Sequence, residues 1–216
     1  MPLEDKNILI AIEEMRKKTK PRKFTQTVEL IINLRDVDIK KQENRIRERV
    51  ILPHPFKKNR KVCVIATGEA ALSAKRSGAD LVLDRSDLES LMGDKKKRKE
   101  IAKKFDVFIA EAPLMPLVGR SLGPALGPLG KMPTPVPPNV DMKEQIDRHR
   151  RMVTVRTRNQ PVLRCGVGNE EMPDKEIAEN IQAVFNAVEG KLQRGVRNIK
   201  SVYIKMTMGE AVQIKL

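Results

Sequence analysis

The residue types that most often carry out catalysis are scarce in this chain. Its 216 residues include only two histidines and two cysteines. His54 lies between two prolines and His149 lies in a run of charged residues, so neither has the neighbouring ligands or nucleophile of a metal site or a catalytic triad. We interpret His54 as a loop residue that shapes a hinge rather than as a catalytic group.

Two stretches come close to nucleotide-binding loops but lack residues that such loops need. A phosphate-binding loop has glycine five positions before a Gly-Lys pair and serine or threonine directly after it. Around Gly130-Lys131, those two positions hold Ala125 and Met132. A dinucleotide-binding loop needs a third glycine, and the best candidate has Glu171 there. The sequence therefore predicts no enzyme, no catalytic or metal-binding residue and no cofactor.

The overall charge indicates a polyanionic partner. Lys and Arg together number 43 and Asp and Glu 28, which gives a net charge of +15. A compact surface that is so positive repels itself, and this is typical of proteins that bind nucleic acid. Aromatic residues make up only 3% of the chain, too few for a single-strand binder that stacks bases on rings. Contacts with the backbone, the 2′-hydroxyl groups and the shape of folded RNA are favoured instead.

The sequence gives no sign of a membrane partner or of export. No run of about 18 apolar residues is present, and the acidic N-terminal segment is unlike a signal or transit peptide. The basic residues do not collect on one amphipathic helix. Cys63 and Cys165 are about a hundred positions apart in strand-like contexts, which indicates buried, reduced thiols. We therefore expect a cytoplasmic protein.

Alternating hydrophobicity predicts a strand near the N-terminus. In KFTQTVELIINL, alternate residues from Phe24 to Leu34 are mostly apolar, whereas Thr25, Thr27 and Glu29 occupy the intervening positions. This pattern is typical of a half-buried strand with one polar face. Taken alone, the same alternation assigns Phe24 to the core.

The remaining terminal segments show the same mixture of strands and helices. Apolar residues at helical spacing predict helices at residues 5–18 and 174–193. The charged stretch at residues 35–49 is predicted to be a solvent-facing loop, followed by a short strand that Pro53 and Pro55 close. The last sixteen residues form two alternating segments and are predicted to be a hairpin.

The pattern changes near residue 61. The short apolar runs KVCVIA, LVLD and FDVFIA alternate with helical segments. One of these segments, SDLESLMGDKKKRKEIAKK, is predicted to form a single helix. The alternation predicts a small parallel sheet of Rossmann-like outline. Prolines and glycines crowd residues 119–138, which favours an ordered loop or a flexible tongue over a regular element. We predict an α+β domain built from residues 1–60 and 158–216, with an inserted α/β domain at residues 61–157. The two connections would form a hinge.

Two segments of the inserted domain have open interpretations. The basic run at residues 95–99 could bind phosphates, although a solvated helix face is the commoner interpretation. The segment 119–138 could contact RNA or protein, or it could cap the inserted domain. The excess of basic residues is divided almost evenly between the two predicted domains, so charge alone does not show which one binds a polyanion.

Five motifs are distributed along the chain: KFTQTVELIINL, LPHP at 52–55, GRSLGPALGPLGKMPTPVP, AENIQAV and TMG at 207–209. They closely resemble motifs of the L-one family of large-subunit ribosomal proteins, which form the mobile stalk beside the tRNA exit site. The resemblance runs the full length of the chain, and its proline- and glycine-rich motif is long and unusual. The charge run at residues 35–49 and the absence of glycine after His54 are more similar to the archaeal branch than to the bacterial one.

The resemblance implies that the terminal domain binds a stem–loop region of large-subunit rRNA through the first strand and the last hairpin. Phe24 is then expected to pack on RNA rather than in the core. Glu29 can accept a hydrogen bond from a 2′-hydroxyl, which RNA has and DNA lacks, and Gly209 has no Cβ to obstruct the RNA backbone. The implied RNA-binding residues are Phe24, Thr27, Glu29, Lys40, Lys41, Ser201, Thr207, Met208 and Gly209, of which the two lysines lie where the family carries arginines.

The implied function is that of a structural component of the large ribosomal subunit. Such a protein binds the stalk rRNA, assists the release of tRNA from the exit site and represses translation of its own messenger by binding an rRNA-like site there. Two alternatives stay open at this point. One is an RNA-modifying enzyme that uses the inserted domain, against which the incomplete glycine loop counts. The other is a general basic RNA chaperone, which would show no preference for one rRNA fragment.

Overall fold

The computed structural model describes residues 3–41, 44–55, 60–138 and 140–216. Parts of the predicted charged loop and of the first predicted hinge connection therefore lie outside the described residues. In chain order the helices are α1 (Asp5–Lys18), α2 (Gly68–Arg76), α3 (Arg85–Gly93), α4 (Lys95–Lys104), α5 (Met115–Ser121), α6 (Gly123–Leu129), α7 (Met142–Arg151) and α8 (Asp174–Glu189). The strands are β1 (Thr27–Leu34), β2 (Arg47–Ile51), β3 (Val62–Ile65), β4 (Leu81–Leu83), β5 (Val107–Glu111), β6 (Thr134–Val136), β7 (Met152–Arg156), β8 (Val162–Asn169), β9 (Ile199–Met206) and β10 (Val212–Ile214).

The chain divides into two compact units. The terminal unit comprises residues 1–57 and 151–216, and the inner unit comprises residues 58–150. The terminal unit is an α+β structure with an antiparallel sheet, and the inner unit has a parallel sheet between helices. This confirms the predicted fold class.

A four-stranded antiparallel sheet in the order β10-β9-β1-β8 is the centre of the terminal unit. The first strand of the chain therefore lies between strands from its last third, so the sheet forms only when both ends of the chain meet. The predicted alternation in β1 is confirmed, because Val28, Leu30, Ile32 and Leu34 are buried while the intervening residues are partly exposed. These four residues belong to one apolar core with the buried faces of α1 and α8.

A second, two-stranded sheet changes the predicted domain boundary. Strand β7 was expected to end the inserted domain, but it pairs with β2 in antiparallel register. Its residues Val153 and Val155 are buried in the core of the terminal unit together with Val50 of β2. The boundary thus lies at residue 150 rather than 157, because a strand belongs to the unit that pairs with it and buries its apolar face.

The inner unit contains a parallel sheet in the order β4-β3-β5-β6. Alternate residues of β3 enter two different cores. Val62 and Val64 pack in a core with residues of α2 and α7, and Cys63 and Ile65 pack in a core with residues of α3, α4, α5 and α6. Both faces of the strand are covered, which explains its continuous apolar sequence and confirms the Rossmann-like outline.

The proline- and glycine-rich segment was predicted to lack regular structure, and this prediction was wrong. It contains the end of α5, all of α6 and strand β6. Pro124 lies in the first turn of α6, where the backbone needs no N–H donor, and Gly130 ends that helix in the left-handed conformation with φ of 70°. Pro135 lies in β6, an edge strand, where a missing donor is tolerated.

The segment predicted as one lysine-rich helix is two helices, α3 and α4. Asp94 separates them, and its carboxylate accepts hydrogen bonds from the backbone N–H groups of Lys96 and Lys97 at 3.0 Å each. This side chain therefore caps the N-terminus of α4, as aspartate commonly does. In the ranges described, no helix is long and apolar enough to cross a membrane.

The altered boundary predicts how the chain can be shortened. A chain in which residues 1–57 are joined to 151–216 should fold more stably than one in which residues 1–57 are joined to 158–216. The second version loses β7, and burial of Val153 and Val155 contributes about 1.5–3 kcal/mol each. Urea unfolding should therefore separate the two versions by at least about 3 kcal/mol. Equal stabilities would show that β7 does not belong to the core of the terminal unit.

Candidate nucleic-acid interface

One face of the four-stranded sheet carries mainly polar side chains, while α1 and α8 pack against the other face. Residues directly opposite each other on neighbouring strands share a face. Glu29 of β1 lies opposite Lys205 of β9, and Ile31 lies between Tyr203 and Arg164. We call this surface the polar face and define it by Thr27, Glu29, Ile31, Asn33, Val162, Arg164, Ser201, Tyr203, Lys205 and Gln213.

The turn that follows β9 is bound to the beginning of β1. The backbone N–H of Thr207 donates to the carbonyl oxygen of Thr27 at 3.1 Å. Oγ1 of Thr207 in turn accepts from the N–H of Thr27 at 3.1 Å. The next N–H, of Met208, donates to Oε1 of the buried Gln26 at 3.2 Å. Because three backbone groups are fixed in this way, the hairpin is preformed beside the polar face.

Gly209 makes this turn possible for a reason that lies within the protein. A Cβ at this position would be 2.6 Å from Oγ1 of Thr19 and 3.2 Å from Cβ of Met206. Thr19 cannot easily yield, because its hydroxyl donates to the carbonyl oxygen of Met15 at 2.6 Å. The sequence interpretation attributed this glycine to a close RNA backbone, and it missed the requirement set by Thr19. The side chain of Met208 remains 59% exposed.

Phe24 is not a core residue, so the assignment made from alternation alone was wrong. Its side chain is 51% exposed. The strand begins only at Thr27, so the alternation of the strand does not extend back to residue 24. The contact of this exposed ring with RNA, which the family resemblance implies, stays a prediction.

Glu29 presents an acceptor that none of the described residues uses. Its side chain is partly buried in the polar face, and within the described residues its carboxylate forms no hydrogen bond or ion pair. Lys205, directly across the sheet, donates instead to the carbonyl oxygen of Thr207 at 3.3 Å. A carboxylate in this position can accept a hydrogen bond from a hydroxyl group of a bound molecule.

Ser201 lies at the other end of the polar face and is almost fully buried. Its Oγ accepts a hydrogen bond from Nδ2 of Asn33, directly opposite on β1, at 3.0 Å. The hydroxyl proton of Ser201 is still available for a further contact, because that bond uses only a lone pair. The serine and the asparagine thus form one polar pair on the face, of which sequence interpretation named only the serine.

Lys40 and Lys41 lie outside the polar face. Both are exposed in the loop after β1, where Asp38 holds the backbone of the turn through its carboxylate and its carbonyl oxygen. The structure therefore gathers six of the predicted residues on the polar face and its hairpin and places Phe24 just before β1. The two lysines are separate from this group.

Sequence interpretation missed five further polar residues of the polar face: Asn33, Arg164, Tyr203, Lys205 and Gln213. The alternation of β9 contained the signal for two of them, because Val202, Ile204 and Met206 are its buried positions. Arg164 could be assigned only after β8 was placed beside β1.

The inner unit does not offer a nucleotide site at the usual place. Open parallel sheets bind nucleotides where the strand order reverses, at the carboxyl ends of the strands. Here that position, between β3 and β5, holds the buried Glu111. Its carboxylate accepts from the N–H of Thr67 at 2.9 Å and from the hydroxyl of Thr67 at 3.2 Å. A phosphate at the N-terminus of α2 would meet this negative charge.

The two cysteines, the possible metal ligands and the basic run of α4 do not form a second candidate site. Burial raises the pKa of the Cys63 and Cys165 thiols to about 12, so both remain protonated and unreactive at neutral pH. Among the described residues, no cluster of His, Cys, Asp and Glu could hold a metal ion. Four lysines of the basic run at residues 95–99 are exposed on α4, as expected for a solvated helix face.

The sequence of the chain is similar to ribosomal proteins over its whole length. Residues 16–210 match the family described as "Ribosomal protein L1p/L10e family". The chain is 47% identical to the large ribosomal subunit protein uL1 of Pyrococcus abyssi, covering 100% of this chain and 98% of the relative. The proteins of the same name from Methanothermococcus thermolithotrophicus and Archaeoglobus fulgidus are 46% and 48% identical, over 99% and 97% of this chain and 100% and 98% of the relatives.

The close packing of Gly209 yields a stability prediction. Gly209→Ala should reduce the free energy of unfolding by about 1–3 kcal/mol, the usual cost of overpacking. In a Thr19→Ala background the same substitution should cost less than half as much, because the 2.6 Å contact is gone. Urea unfolding of the four variants in this double-mutant cycle measures the coupling. Equal costs in both backgrounds would show that the contact with Thr19 does not explain the glycine.

Proposed function

The chain belongs to the L-one family, in its archaeal form, and is a component of the large ribosomal subunit rather than an enzyme; on this premise we propose that its polar face and adjoining hairpin bind the stalk region of large-subunit rRNA. One observation carries the proposal: a carboxylate without a partner among the residues described, a preformed turn and two exposed apolar side chains adjoin one sheet. They belong to Glu29, Thr207, Phe24 and Met208.

The chemistry of this surface suits RNA better than DNA. Glu29 would repel phosphate, but its carboxylate can accept a hydrogen bond from a ribose 2′-hydroxyl. Met208 and Phe24 can pack against ribose or base surfaces that an irregular stem–loop exposes. Because the turn is already held by backbone hydrogen bonds, little conformational entropy is lost on binding.

The net charge of +15 supplies the other part of the proposed interaction. Neutralisation of phosphates by Lys and Arg releases counterions and contributes most of the affinity in a manner that depends on salt. The largely uncharged hairpin contributes specificity through shape and hydroxyl contacts. Affinity and specificity thus arise from different residues.

Two further roles follow from the family resemblance and form part of the proposal. As part of the stalk in the cytoplasm, the protein assists the release of tRNA from the exit site. A messenger that carries an rRNA-like stem–loop would bind the same polar face, so the protein represses translation of its own messenger. This second role needs no additional site on the protein.

A competition experiment tests the proposed function. A labelled fragment of large-subunit rRNA that contains the stalk region is bound to the full chain and competed with unlabelled fragment or bulk tRNA. We expect the fragment to compete at a concentration at least tenfold lower than that of tRNA. Equal competition by both RNAs would identify a general basic RNA binder instead.

Substitutions in the hairpin separate shape recognition from charge. Met208→Ala should weaken binding of the rRNA fragment by about 1–3 kcal/mol, because an exposed methionine loses the apolar area that it buries on RNA. Thr207→Ala should cost a similar amount. Neither residue is charged, so the slope of log affinity against log salt should stay unchanged. Filter binding at several salt concentrations measures both quantities.

The two hairpin variants differ in what they do to the protein itself. Thr207→Ala also removes the hydrogen bond to Thr27, so its thermal unfolding must be measured alongside binding, whereas Met208 has no such role. Neutralising the basic run at residues 95–99 is the matched comparison and should weaken binding little. If that change abolished binding while Met208→Ala left it intact, recognition would depend on general charge alone.

The inner unit should be dispensable for primary binding. A shortened chain of residues 1–57 joined to 151–216 retains the polar face and the hairpin. It should bind the rRNA fragment with less than a tenfold loss of affinity, which corresponds to about 1.4 kcal/mol. A larger loss in a shortened chain that is shown to be folded would place primary contacts in the inner unit.

A further inference from the structure

A groove lined by arginines adjoins the polar face within the terminal unit. It has a volume of about 540 Å³ and lies where β7 leads into β8. Arg164 belongs to both surfaces, because it lines the groove and also lies opposite Ile31 on the polar face. The polar side chains that line the groove are Thr154, Arg156, Arg158, Asn159, Gln160 and Arg164.

None of the described residues neutralises the positive charges of the arginines that line the groove. Within the described residues, the guanidinium groups of Arg156, Arg158 and Arg164 form no ion pair and no hydrogen bond. Arginine has five N–H donors in a planar fork and carries its charge at any physiological pH. Three such groups around one concave surface create a strongly positive potential, which concave shape increases further.

Strand β2 adds two more arginines to the same side. Arg47 lies directly opposite Arg156, and Arg49 lies directly opposite Thr154. Like charges that face each other across a strand pair destabilise a sheet. Burial lowers the pKa of Arg49, and the charge of Arg47 lowers it further. The intervening residue Glu48 faces the other way and pairs with Lys191 at 3.5 Å, so it does not relieve this repulsion.

We propose that this arginine groove binds consecutive phosphate groups of the RNA strand that continues from the polar face. The inference rests on the proposed function and extends it to a second part of the same interface. Guanidinium groups bind phosphate oxygens in pairs of parallel hydrogen bonds, and arginine is better suited to this than lysine. The amides of Asn159 and Gln160 can bond to ribose or base groups beside those phosphates.

The continuity of the two surfaces favours RNA over a small anion as the occupant. A single phosphate or sulfate could neutralise one guanidinium pair, but Arg47, Arg156, Arg158 and Arg164 extend from β2 through β7 to β8. A chain of phosphates matches that distribution. Arg164 then connects contacts with phosphates in the groove to contacts with hydroxyl groups on the polar face.

The test compares two full-length triple variants that lose the same charge. One is Arg156→Gln, Arg158→Gln, Arg164→Gln, and the control is Lys95→Gln, Lys96→Gln, Lys99→Gln on the exposed face of α4. Binding of the stalk-region rRNA fragment is measured between low and physiological salt. We expect the arginine variant to lose at least tenfold in affinity and to flatten the slope of log affinity against log salt by about two, at roughly 0.7–0.9 per phosphate contact. The lysine variant should lose less than threefold.

A charge-conserving variant tests the geometry of the contact. Replacing the same three arginines with lysine keeps the charge but removes the paired hydrogen bonds. We expect the salt slope to stay near that of the unaltered chain while the affinity falls at least threefold. Because the net charge is unchanged, this variant also remains informative if the glutamine variant folds poorly, which thermal unfolding would reveal.

The outcomes separate this inference from the proposed function. If the arginine and lysine sets have equal effects on affinity and slope, the groove is not an RNA site, although the hairpin could still recognise the fragment. If unaltered protein binds fragment and tRNA equally, the proposed function fails. In that case a slope change confined to the arginine variant would still support a phosphate-binding groove.

Discussion

Strand β1 forms hydrogen bonds along both edges, with β9 on one side and β8 on the other, and this double pairing determines the rest of the terminal unit. Side chains in a strand alternate between faces, so a shift of one residue would turn Glu29 into the apolar core and expose Leu30. Burying an unpaired carboxylate is costly. The hydrogen bonds between Thr27 and Thr207 fix the register at one end. The polar face therefore exists only in this register.

Strand β7, the first element after the inner unit, affects the terminal unit in two opposite ways. Strand β7 pairs with β2, which completes the core with Val153 and Val155 but also sets Arg156 opposite Arg47. The first effect stabilises the unit, whereas the second destabilises it. Burial of the two valines contributes about 3–6 kcal/mol, whereas a cross-strand pair of like charges costs roughly 1 kcal/mol or less, so the fold tolerates the arrangement. Local conflicts of this kind are often found at functional sites.

Most of the fold could be predicted from the sequence because hydrophobic periodicity is a local property. It predicted α1 and α8, the alternation of β1 and the two kinds of unit. It failed where tertiary context decides the outcome. Pro124 looked like a helix breaker, yet it lies in the one turn of α6 that needs no N–H donor. The place of β7 depended on pairing with residues about a hundred positions away, which no local pattern records.

The residues of the candidate site also fall into two groups: those that local sequence patterns indicated and those that only the tertiary structure reveals. Family motifs indicated Thr207 and Met208, and alternation indicated Glu29, but nothing in the sequence distinguished Arg156 or Arg164 from ordinary surface charges. Strand pairing brings them together, and only then do they form the groove proposed to bind phosphates. The two groups also differ in physical role. Phosphate contacts act at long range and weaken with salt, whereas hydroxyl and apolar contacts act at short range and depend on shape. An RNA would thus be attracted by the arginines in any sequence and retained only where its structure fits the hairpin.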